Sequence, residues 1–462
     1  MYKKLTPFVI SLAMFMEALD TTILNTAIPA MSRSLNVNPI DLKIALISYL
    51  LTLAIFTPIS GWIGDKFGVK RVFLFASALF TLSSVWCGLT HTLPELIIAR
   101  CLQGLGGSLS MPMGRLIILR TFPRNEMLDR MNRVIMIGAL GVMAGPVLGG
   151  YITHYFSWRW IFWVNLPIGI IVLLLGMKWI KSSPVLPNLH ALDKIGFVLF
   201  GVSLAGFTFG LSAFTESAIP NQWALSIIVI ALGIFGLYFW HSHRQTYPIV
   251  NVRLFRIRTF RVSVIGNLLT RLSFGGIPFL VPLLLQIPLQ YPAQIAGLLM
   301  APVALGVVLM KPFSRYFLIK MGYRRYLILN TLLMGLLIMA FILINQHSSL
   351  GLIALLTLLF GCLSTLQYSG MNSLAYGDIQ AEDLSATTSI MSTLQQLSQS
   401  FGVAISALFI HLFSVKLQGT AIVLTPHIFH WTFLVLGGMT MVFAVVFSGL
   451  RADDGKQLLQ RE

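Results

Sequence analysis

Charged residues are scarce in this chain of 462 residues. Asp, Glu, Lys and Arg together make up 10% of it, against about 25% in a typical soluble domain. So few charges cannot cover the water-exposed surface of a soluble protein of this size. Apolar residues make up 56% of the chain, and they come in blocks of about 20, the length that crosses a ~30 Å hydrocarbon core. The composition therefore predicts an integral membrane protein made of helices.

Acidic residues are scarcer still, with 15 Asp and Glu against 32 Lys and Arg, a net charge of +17. In a soluble chain this excess would suggest a nucleic-acid partner. Here the basic residues lie in short stretches between apolar blocks, as the positive-inside rule describes for loops that face the cytoplasm. We therefore expect anionic lipid, and no nucleic acid, as the partner of these charges.

Sites for catalysis or metal binding are also lacking. The three cysteines, Cys87, Cys101 and Cys362, lie in apolar segments without metal-ligand spacing and are interpreted as packing residues. The chain contains no HExxH, no phosphate-binding P-loop and no Gly-x-Ser-x-Gly. These absences argue against an enzyme or an ATP-driven pump, and no metal or cofactor is expected.

Fourteen apolar segments are predicted, and an even number places both termini on one side of the membrane. With cytoplasmic termini, Arg33, Lys43, Arg159 and Lys416 alone fall in outer loops, which favours this orientation. The segments are 6–30, 43–63, 72–92, 95–117, 133–156, 160–180, 195–215, 222–242, 260–286, 293–317, 326–345, 351–375, 388–415 and 428–450.

An internal repeat relates the two ends of the chain. KFGVKR at 66–71 and KMGYRR at 320–325 are separated by 254 residues, and the same offset places Pro58 on Pro312. Segments 1–6 then pair with segments 9–14, as in transporters whose two bundles rock around a central site. The predicted division is an N-terminal six-helix bundle (1–180), an inserted two-helix hairpin (181–243), a basic connector on the cytoplasmic membrane surface (244–259), a C-terminal six-helix bundle (260–450) and a cytoplasmic tail (451–462).

The loop after segment 2 reads GWIGDKFGVKR, 61–71. Its glycines permit close helix approach and a tight reversal, while its acid can meet a helix N-terminus or an arginine of the facing bundle. It closely resembles the signature loop of the major facilitator superfamily, which implies a latch between bundles on the cytoplasmic side. The residues concerned are Gly61, Asp65, Lys66, Gly68, Lys70 and Arg71. In the second copy Ile319 replaces the acid, so any latch there is weaker.

Two further stretches resemble motifs of the same superfamily. RCLQGLGG, 100–107, resembles its helix-4 motif and includes Arg100 and Gln103; a guanidinium inside a membrane should face the cavity or a polar partner. GVMAGPVLGG, 141–150, resembles the helix-5 motif of its antiporters. The glycines should let segment 5 pack closely and the proline should kink it, which is a mechanical role. The motif residues are Gly141, Gly145, Pro146, Gly149 and Gly150.

DTTILNTAIP (20–29) and WRWIFWVNLPIG (158–169) narrow the resemblance. Both are similar to the 14-helix drug:proton antiporter family, and within it to the bacterial MdtD-like multidrug exporters. The resemblance implies an all-α polytopic protein with two six-helix bundles and an inserted hairpin. It also implies a small-molecule substrate, the proton gradient in place of a cofactor, a functional monomer and the bacterial inner membrane.

Three charges inside the predicted membrane segments stand out. Glu17 and Asp20 share one face of segment 1, three residues apart, and the repeat offset maps Glu17 onto Arg271 in segment 9. A carboxyl that alternates between an apolar surrounding and a nearby cation can load and release a proton. We expect Glu17 and Arg271 to face each other across a central cavity, with Glu17 serving substrate or proton and Asp20 serving structure or coupling. The alternative is that all three only satisfy polar neighbours within a bundle.

Two transport functions remain open at this point. The first is proton-coupled export of small amphipathic compounds, for which acids and aromatics suit lipophilic cations. The second is transport of a specific anionic metabolite, such as a polycarboxylate or a siderophore, with Arg271 and Arg100 as anion-binding groups. A sensor or channel built on the same fold is a third, non-transport reading.

Overall fold

The computed structural model describes residues 2–122, 124–181, 191–214, 220–380, 383–418, 424–451 and 453–455. Within these ranges the chain forms α-helices joined by turns and short 3-10 segments. It divides into two compact units, one of Met1–Lys194 with Pro292–Gly297 and the other of Ile195–Tyr291 with Leu298–Glu462.

In the first unit, α1 packs along α5, while α4 packs against both α2 and α3, and α7 packs on α1 and α3. This arrangement gathers α1, α3, α4 and α7 around the middle of α1. The helices are α1 (Tyr2–Leu35), α2 (Lys43–Phe67), α3 (Val69–Leu89), α4 (Leu93–Thr121), α5 (Arg124–Tyr155), α6 (Trp160–Trp163) and α7 (Asn165–Trp179).

In the second unit, α10 packs against α13, α14 and α15. The first residues of α12 group with the first unit. The helices are α8 (Lys194–Ala213), α9 (Asn221–Arg244), α10 (Arg258–Phe274), α11 (Ile277–Gln286), α12 (Ala293–Ala340), α13 (Leu350–Ala375), α14 (Leu384–Gln418) and α15 (Pro426–Phe443), with 3-10 segments at Val252–Arg256, Phe341–Leu343 and Ala444–Gly449.

Twelve segments in the described part of the chain are long and apolar enough to cross a membrane, and the molecule is a multi-pass membrane protein. The predicted count was 14, so the two numbers disagree. One of the twelve, Ala293–Leu343, is 51 residues long, about 75 Å at 1.5 Å per residue, and its backbone leaves the helical region at Gly322. In addition, α4 is 29 residues long but is not among the twelve; it carries Glu95, Arg100, Arg115 and Arg120.

Two predicted segments are each divided into two helices, although the backbone at both divisions stays in the right-handed helical region. Segment 160–180 is divided at Val164 into α6 and α7, and segment 260–286 is divided at Gly275 and Gly276 into α10 and α11. The second break is followed by a proline in the first turn of α11, a position where the missing N–H costs nothing. Gly275 and Gly276 lie near the middle of the span Arg258–Gln286.

The basic connector contains the 3-10 segment Val252–Arg256, in which Val252 and Leu254 are buried while Arg253 and Arg256 are exposed. The C-terminal turn meets the end of this connector, since the Asp454 carboxylate forms an ion pair with the Arg258 guanidinium. The packed apolar face shows that the connector rests partly on the protein. Its position along a membrane surface stays a prediction.

The repeat offset of 254 pairs two glycines with the same unusual backbone. Gly68 lies between α2 and α3 with φ 91°, and Gly322 interrupts α12 with φ 70°. Side chains other than hydrogen are disfavoured at positive φ. Each of the two turns predicted from the repeat therefore contains a glycine at a position whose backbone conformation favours glycine.

Candidate functional site

The Asp20 carboxylate is the centre of a buried polar network in the first unit. Its Oδ2 accepts a hydrogen bond from Arg100 Nη1 at 2.6 Å, which is also an ion pair. Its Oδ1 accepts hydrogen bonds from Gln103 Nε2 at 2.8 Å and Asn165 Nδ2 at 3.0 Å. All four side chains are 0% exposed. Three helices, α1, α4 and α7, therefore meet on one carboxylate.

The Arg100 guanidinium is engaged through Nη1 and Nε, while its Nη2 is buried without a hydrogen-bond partner. Besides Asp20, its Nη1 donates to Gln103 Oε1 at 2.7 Å, and its Nε donates to the Ala45 carbonyl at 3.2 Å. Its Cζ lies 4.2 Å from the centroid of the Tyr49 ring, a cation–π contact. These contacts add α2 to the network. They also occupy the group that the anion-transport reading assigned to substrate.

Asn165 was missed as a site residue by the sequence analysis, although it lies within the motif at 158–169. Its Nδ2 reaches both Asp20 Oδ1 and Ser84 Oγ, the latter at 3.0 Å, and Ser84 in turn donates to the Phe162 carbonyl at 2.9 Å. The break between α6 and α7 immediately precedes it. A lone amide in an apolar segment was the available signal, because such a group needs a partner inside the membrane.

Glu17 lies one turn before Asp20 on α1, is 3% exposed and stays outside this network. Its Oε1 is buried without a hydrogen-bond partner. Ser110 of α4 lies beside the side chain, and Asp20 and Arg115 act on it electrostatically. The two acids of α1 are thus in opposite situations, since Asp20 accepts three hydrogen bonds while Glu17 retains an oxygen that accepts none.

The glycines of the helix-5 motif lie along the surface where α5 meets α1. A Cβ added at Gly141 would lie 2.5 Å from the Phe15 carbonyl oxygen, and one at Gly145 would lie 2.9 Å from Thr22 Cβ. One at Gly149 would meet the Ile23 carbonyl and lie 2.5 Å from Thr26 Oγ1. The glycines therefore hold α5 against the stretch of α1 that carries both acids. Gly150 instead meets Ala293 and Gly297, and α5 continues as one helix through Pro146.

Arg271 lies in the second unit, on α10, and is 4% exposed. Its Nε donates to Asn267 Oδ1 at 2.6 Å, and its Cζ lies 3.7 Å from the centroid of the Tyr368 ring. Glu17 belongs to the first unit. The expected pairing of Glu17 with Arg271 therefore stays a prediction.

Comparison with protein families gives the context for this arrangement. The family model of the Major Facilitator Superfamily matches residues 10–240 and 263–461, which is most of the chain. The chain belongs to the major facilitator superfamily. It is a transporter of the membrane and not an enzyme.

Relatives within the superfamily match the chain over nearly its whole length. The chain is 35% identical over 450 residues to the "Putative multidrug resistance protein MdtD" of Pectobacterium carotovorum, covering 97% of this chain and 96% of that protein. The protein of the same name from Klebsiella pneumoniae is 33% identical over 461 residues, with 98% and 96% covered. The resemblance to MdtD-like proteins is confirmed by these matches.

Solved structures of other transporters share the fold at low identity. A peptide transporter in complex with sulfate superposes with a TM-score of 0.71 at 15% identity, covering 98% of this chain and 95% of that one. A D-xylose-proton symporter gives a TM-score of 0.70 at 15% identity, with 98% and 99% covered. These likenesses confirm the all-helical major facilitator fold.

The superfamily's signature loop is held within the first unit. The Asp65 carboxylate forms an ion pair with the Arg120 guanidinium at the end of α4. Lys70 Nζ donates to the Met177 carbonyl at 2.8 Å, and Lys66 Nζ lies 4.6 Å from the Trp62 ring centroid. These contacts fix the loop to its own helices. A latch between bundles stays a prediction.

The turn in this loop gives a stability prediction. Gly68 has φ 91° and ψ 125°, so Gly68→Ala should lower the free energy of unfolding by about 1–3 kcal/mol, the cost of a strained backbone. Gly61→Ala is the matched control, because Gly61 is helical and a Cβ there meets nothing within 4 Å. Thermal unfolding of the purified variants in detergent measures the difference. Equal unfolding midpoints for the two variants would contradict the positive-φ backbone assigned to Gly68.

Proposed function

We propose that this transporter exports small amphipathic compounds in exchange for protons, by alternating access between two six-helix bundles. The names of the MdtD relatives support export of drug-like compounds. On this proposal the protein works as a monomer in the bacterial inner membrane with both termini cytoplasmic. It needs no cofactor, because the proton gradient drives it.

We further propose 14 membrane crossings in place of 12. The 51-residue segment Ala293–Leu343 then makes two crossings joined at Gly322, where the helical backbone is interrupted. The helix α4 makes the other additional crossing, since its most central charge, Arg100, is paired with Asp20 and does not face lipid. On this count the bundles are 1–180 and 260–450, the hairpin is 181–243, the connector is 244–259 and the tail is 451–462.

The observation that carries the coupling proposal is the contrast between the two acids of α1. Protonating Asp20 would weaken its ion pair with Arg100 at a site that is 0% exposed, and a buried cation without its partner is costly. Glu17 can take a proton on Oε1 without losing a hydrogen bond, because that oxygen has none. Glu17 is therefore proposed as the proton-carrying group and Asp20 as the group that fixes α1 to α4 and α7.

Proteoliposomes with an acidic lumen test the coupling. Ethidium should accumulate when the pH gradient is imposed and should stop accumulating when a protonophore removes it. Glu17→Gln keeps the shape of the side chain but cannot carry a proton, so it should lose gradient-driven accumulation at least about tenfold, as loss of a positioned proton-transfer group does, while still binding ethidium.

Glu126→Gln is the control for the same chemical change, since Glu126 is exposed and its ion pair with Arg130 lies at the surface. It should transport as the unaltered protein does. Gradient-driven transport by Glu17→Gln equal to that of the control would sink the assignment of Glu17. Absence of gradient-driven transport in the unaltered protein, with any of several lipophilic cations, would argue against proton-coupled export itself.

Transport of an anionic metabolite is a second candidate, favoured by the buried guanidinium of Arg271. The other arginine suggested to bind the anion, Arg100, forms an ion pair with Asp20. This ion pair weakens the case for anion transport. Thermal-shift measurements with tetraphenylphosphonium and with citrate distinguish the two, because only the true ligand class should raise the unfolding midpoint.

A further inference from the structure

Arg271 lies just before the junction of α10 and α11. It is the fourth residue before Gly275, where α10 ends, and the Gly275 N–H donates to the Arg271 carbonyl at 2.8 Å. The backbone at Gly275 and Gly276 stays in the right-handed helical region, so the chain passes from α10 to α11 without unwinding. Arg271 is thus placed in the last turn of α10, next to this pair of glycines.

The junction of α10 and α11 is packed closely against α14. A Cβ added at Gly402 would lie 2.6 Å from the Arg271 carbonyl oxygen and 3.1 Å from Gly275 Cα, and one at Gly276 would lie 2.6 Å from the Gly402 carbonyl oxygen. Three glycines thus let the two backbones touch. The backbone that positions Arg271 is built without side chains between the helices, so the guanidinium is held by a rigid crossing.

The guanidinium itself is held on two sides only. Nε is bound to Asn267, whose Nδ2 lies 3.5 Å from Asn372 Oδ1, and one face of the plane lies on the Tyr368 ring. Within the described residues of the second unit, its Nη nitrogens donate to no acceptor, and no carboxylate lies within ion-pair distance. A buried guanidinium thus presents the edge that binds carboxylates in a bidentate manner.

Arg100 provides a comparison within the same molecule. It is equally deep in its unit, but its guanidinium meets the Asp20 carboxylate and the Ala45 carbonyl. A structural arginine in this protein is therefore given a counter-ion. Burying a charge without one is costly, and the absence of a carboxylate partner for Arg271 in its own unit suggests that the partner arrives with a ligand.

The surroundings of Arg271 specify more than a negative charge. Tyr368 lies 5.7 Å from Phe274 between ring centroids, and Phe274 lies 6.3 Å from Phe360. Phe274 and Phe360 are buried, at 1% and 4% exposed, and support Tyr368 from the interior, whereas the Tyr368 ring itself is partly exposed. A small inorganic anion would leave the Tyr368 ring unused, whereas an aromatic carboxylate would cover both the guanidinium and this ring.

We propose that Arg271, oriented by Asn267 and Tyr368, is a subsite for the carboxylate of an amphipathic, aromatic substrate. The proposal rests on the proposed transport function, since it names the class of compound carried. It places in the second unit a positive group that lipophilic cations do not require. Compounds that combine an aromatic body with a carboxylate are thus expected as substrates in addition to lipophilic cations.

Binding of 2-naphthoate and of 2-naphthamide to the detergent-purified protein tests the subsite. The two probes have the same shape and differ in charge. Naphthoate should bind at least about tenfold more tightly, because a charge-assisted bidentate contact replaces a neutral one. Arg271→Gln should abolish that preference, and Arg271→Lys should keep only part of it. Arg253→Gln, at an exposed arginine of the connector, is the control and should retain the full preference.

Equal binding of the two probes by the unaltered protein would overturn the proposal, as would a full naphthoate preference in Arg271→Gln. Should Arg271→Gln fail to fold, Arg271→Lys replaces it, and a full preference in that variant would count against the bidentate contact and hence the subsite. These measurements need no pH gradient. Naphthoate preference without gradient-driven transport would contradict proton-coupled export and leave the subsite standing, whereas the reverse result would contradict the subsite alone.

Discussion

Asp20→Asn is expected to destabilise the protein by about 3–5 kcal/mol, the typical cost of removing one partner from a buried ion pair. Asparagine would leave the Arg100 guanidinium without a counter-ion at a position that is 0% exposed. It would also present an NH2 group to either Arg100 Nη1 or the amides of Gln103 and Asn165, which already donate to this carboxylate. Thermal unfolding in detergent should show a large fall in the midpoint.

Glu17→Gln is the matched control, because it makes the same carboxyl-to-amide change one helical turn away. No arginine pairs with Glu17 at ion-pair distance in the described part of the first unit, so its midpoint should change little. The double variant Asp20→Asn with Arg100→Gln should lose less free energy of unfolding than the two single variants lose in sum, since both charges are removed together. A midpoint for Asp20→Asn equal to that of Glu17→Gln would show that the network contributes little.

The members of this network could be predicted from the sequence, but their partnership could not. Arg100 inside an apolar segment required a polar partner, and Asp20 belonged to a motif, yet 80 residues separate them. Periodicity shows which residues share a face of one helix; it does not show which helices pack together. Asn165 illustrates the limit, because it is the packing of α7 on α1 and α3 that brings its amide to Asp20.

The helix count shows the same limit from the other side. Blocks of apolar residues predicted 14 segments, and hydropathy in the folded chain finds 12 in the described residues. The difference arises in two places. At Gly322 two helices follow each other without an intervening loop, so they are counted as one span, and the charged residues of α4 lower its hydropathy, so it is not counted although it is long enough. Turn glycines were well predicted, since positive φ at Gly68 and Gly322 leaves a mark in the sequence. The break at Gly275 and Gly276 was not, because the apolar pattern runs through it.

Gly141→Ala combined with Gly149→Ala is expected to separate α5 from α1. At Gly141 the new Cβ would lie 2.5 Å from the Phe15 carbonyl oxygen and 3.1 Å from Leu19 N. At Gly149 it would meet the Ile23 carbonyl. Backbone atoms cannot rotate away as a side chain can, so the helices must move apart, at a cost of about 1–3 kcal/mol for each site of overpacking.

The consequence for transport should exceed the loss of stability. The contacts of Gly141 and Gly149 bracket the part of α1 that carries Glu17 and Asp20, so a displaced α1 misplaces both acids relative to α4. Gradient-driven ethidium accumulation should fall at least about tenfold in folded protein, as misplacing a reacting group by an ångström can do.

Gly236→Ala on α9 is the control, because a Cβ there meets nothing within 4 Å, and alanine in a helix interior is more stable than glycine by about 0.5–1 kcal/mol. If the double variant unfolds at the same temperature as this control and transports normally, then the interface between α1 and α5 accommodates the added methyl groups. The glycines of the helix-5 motif would in that case not set the position of the acids, and the mechanical role assigned to the motif would have to be abandoned.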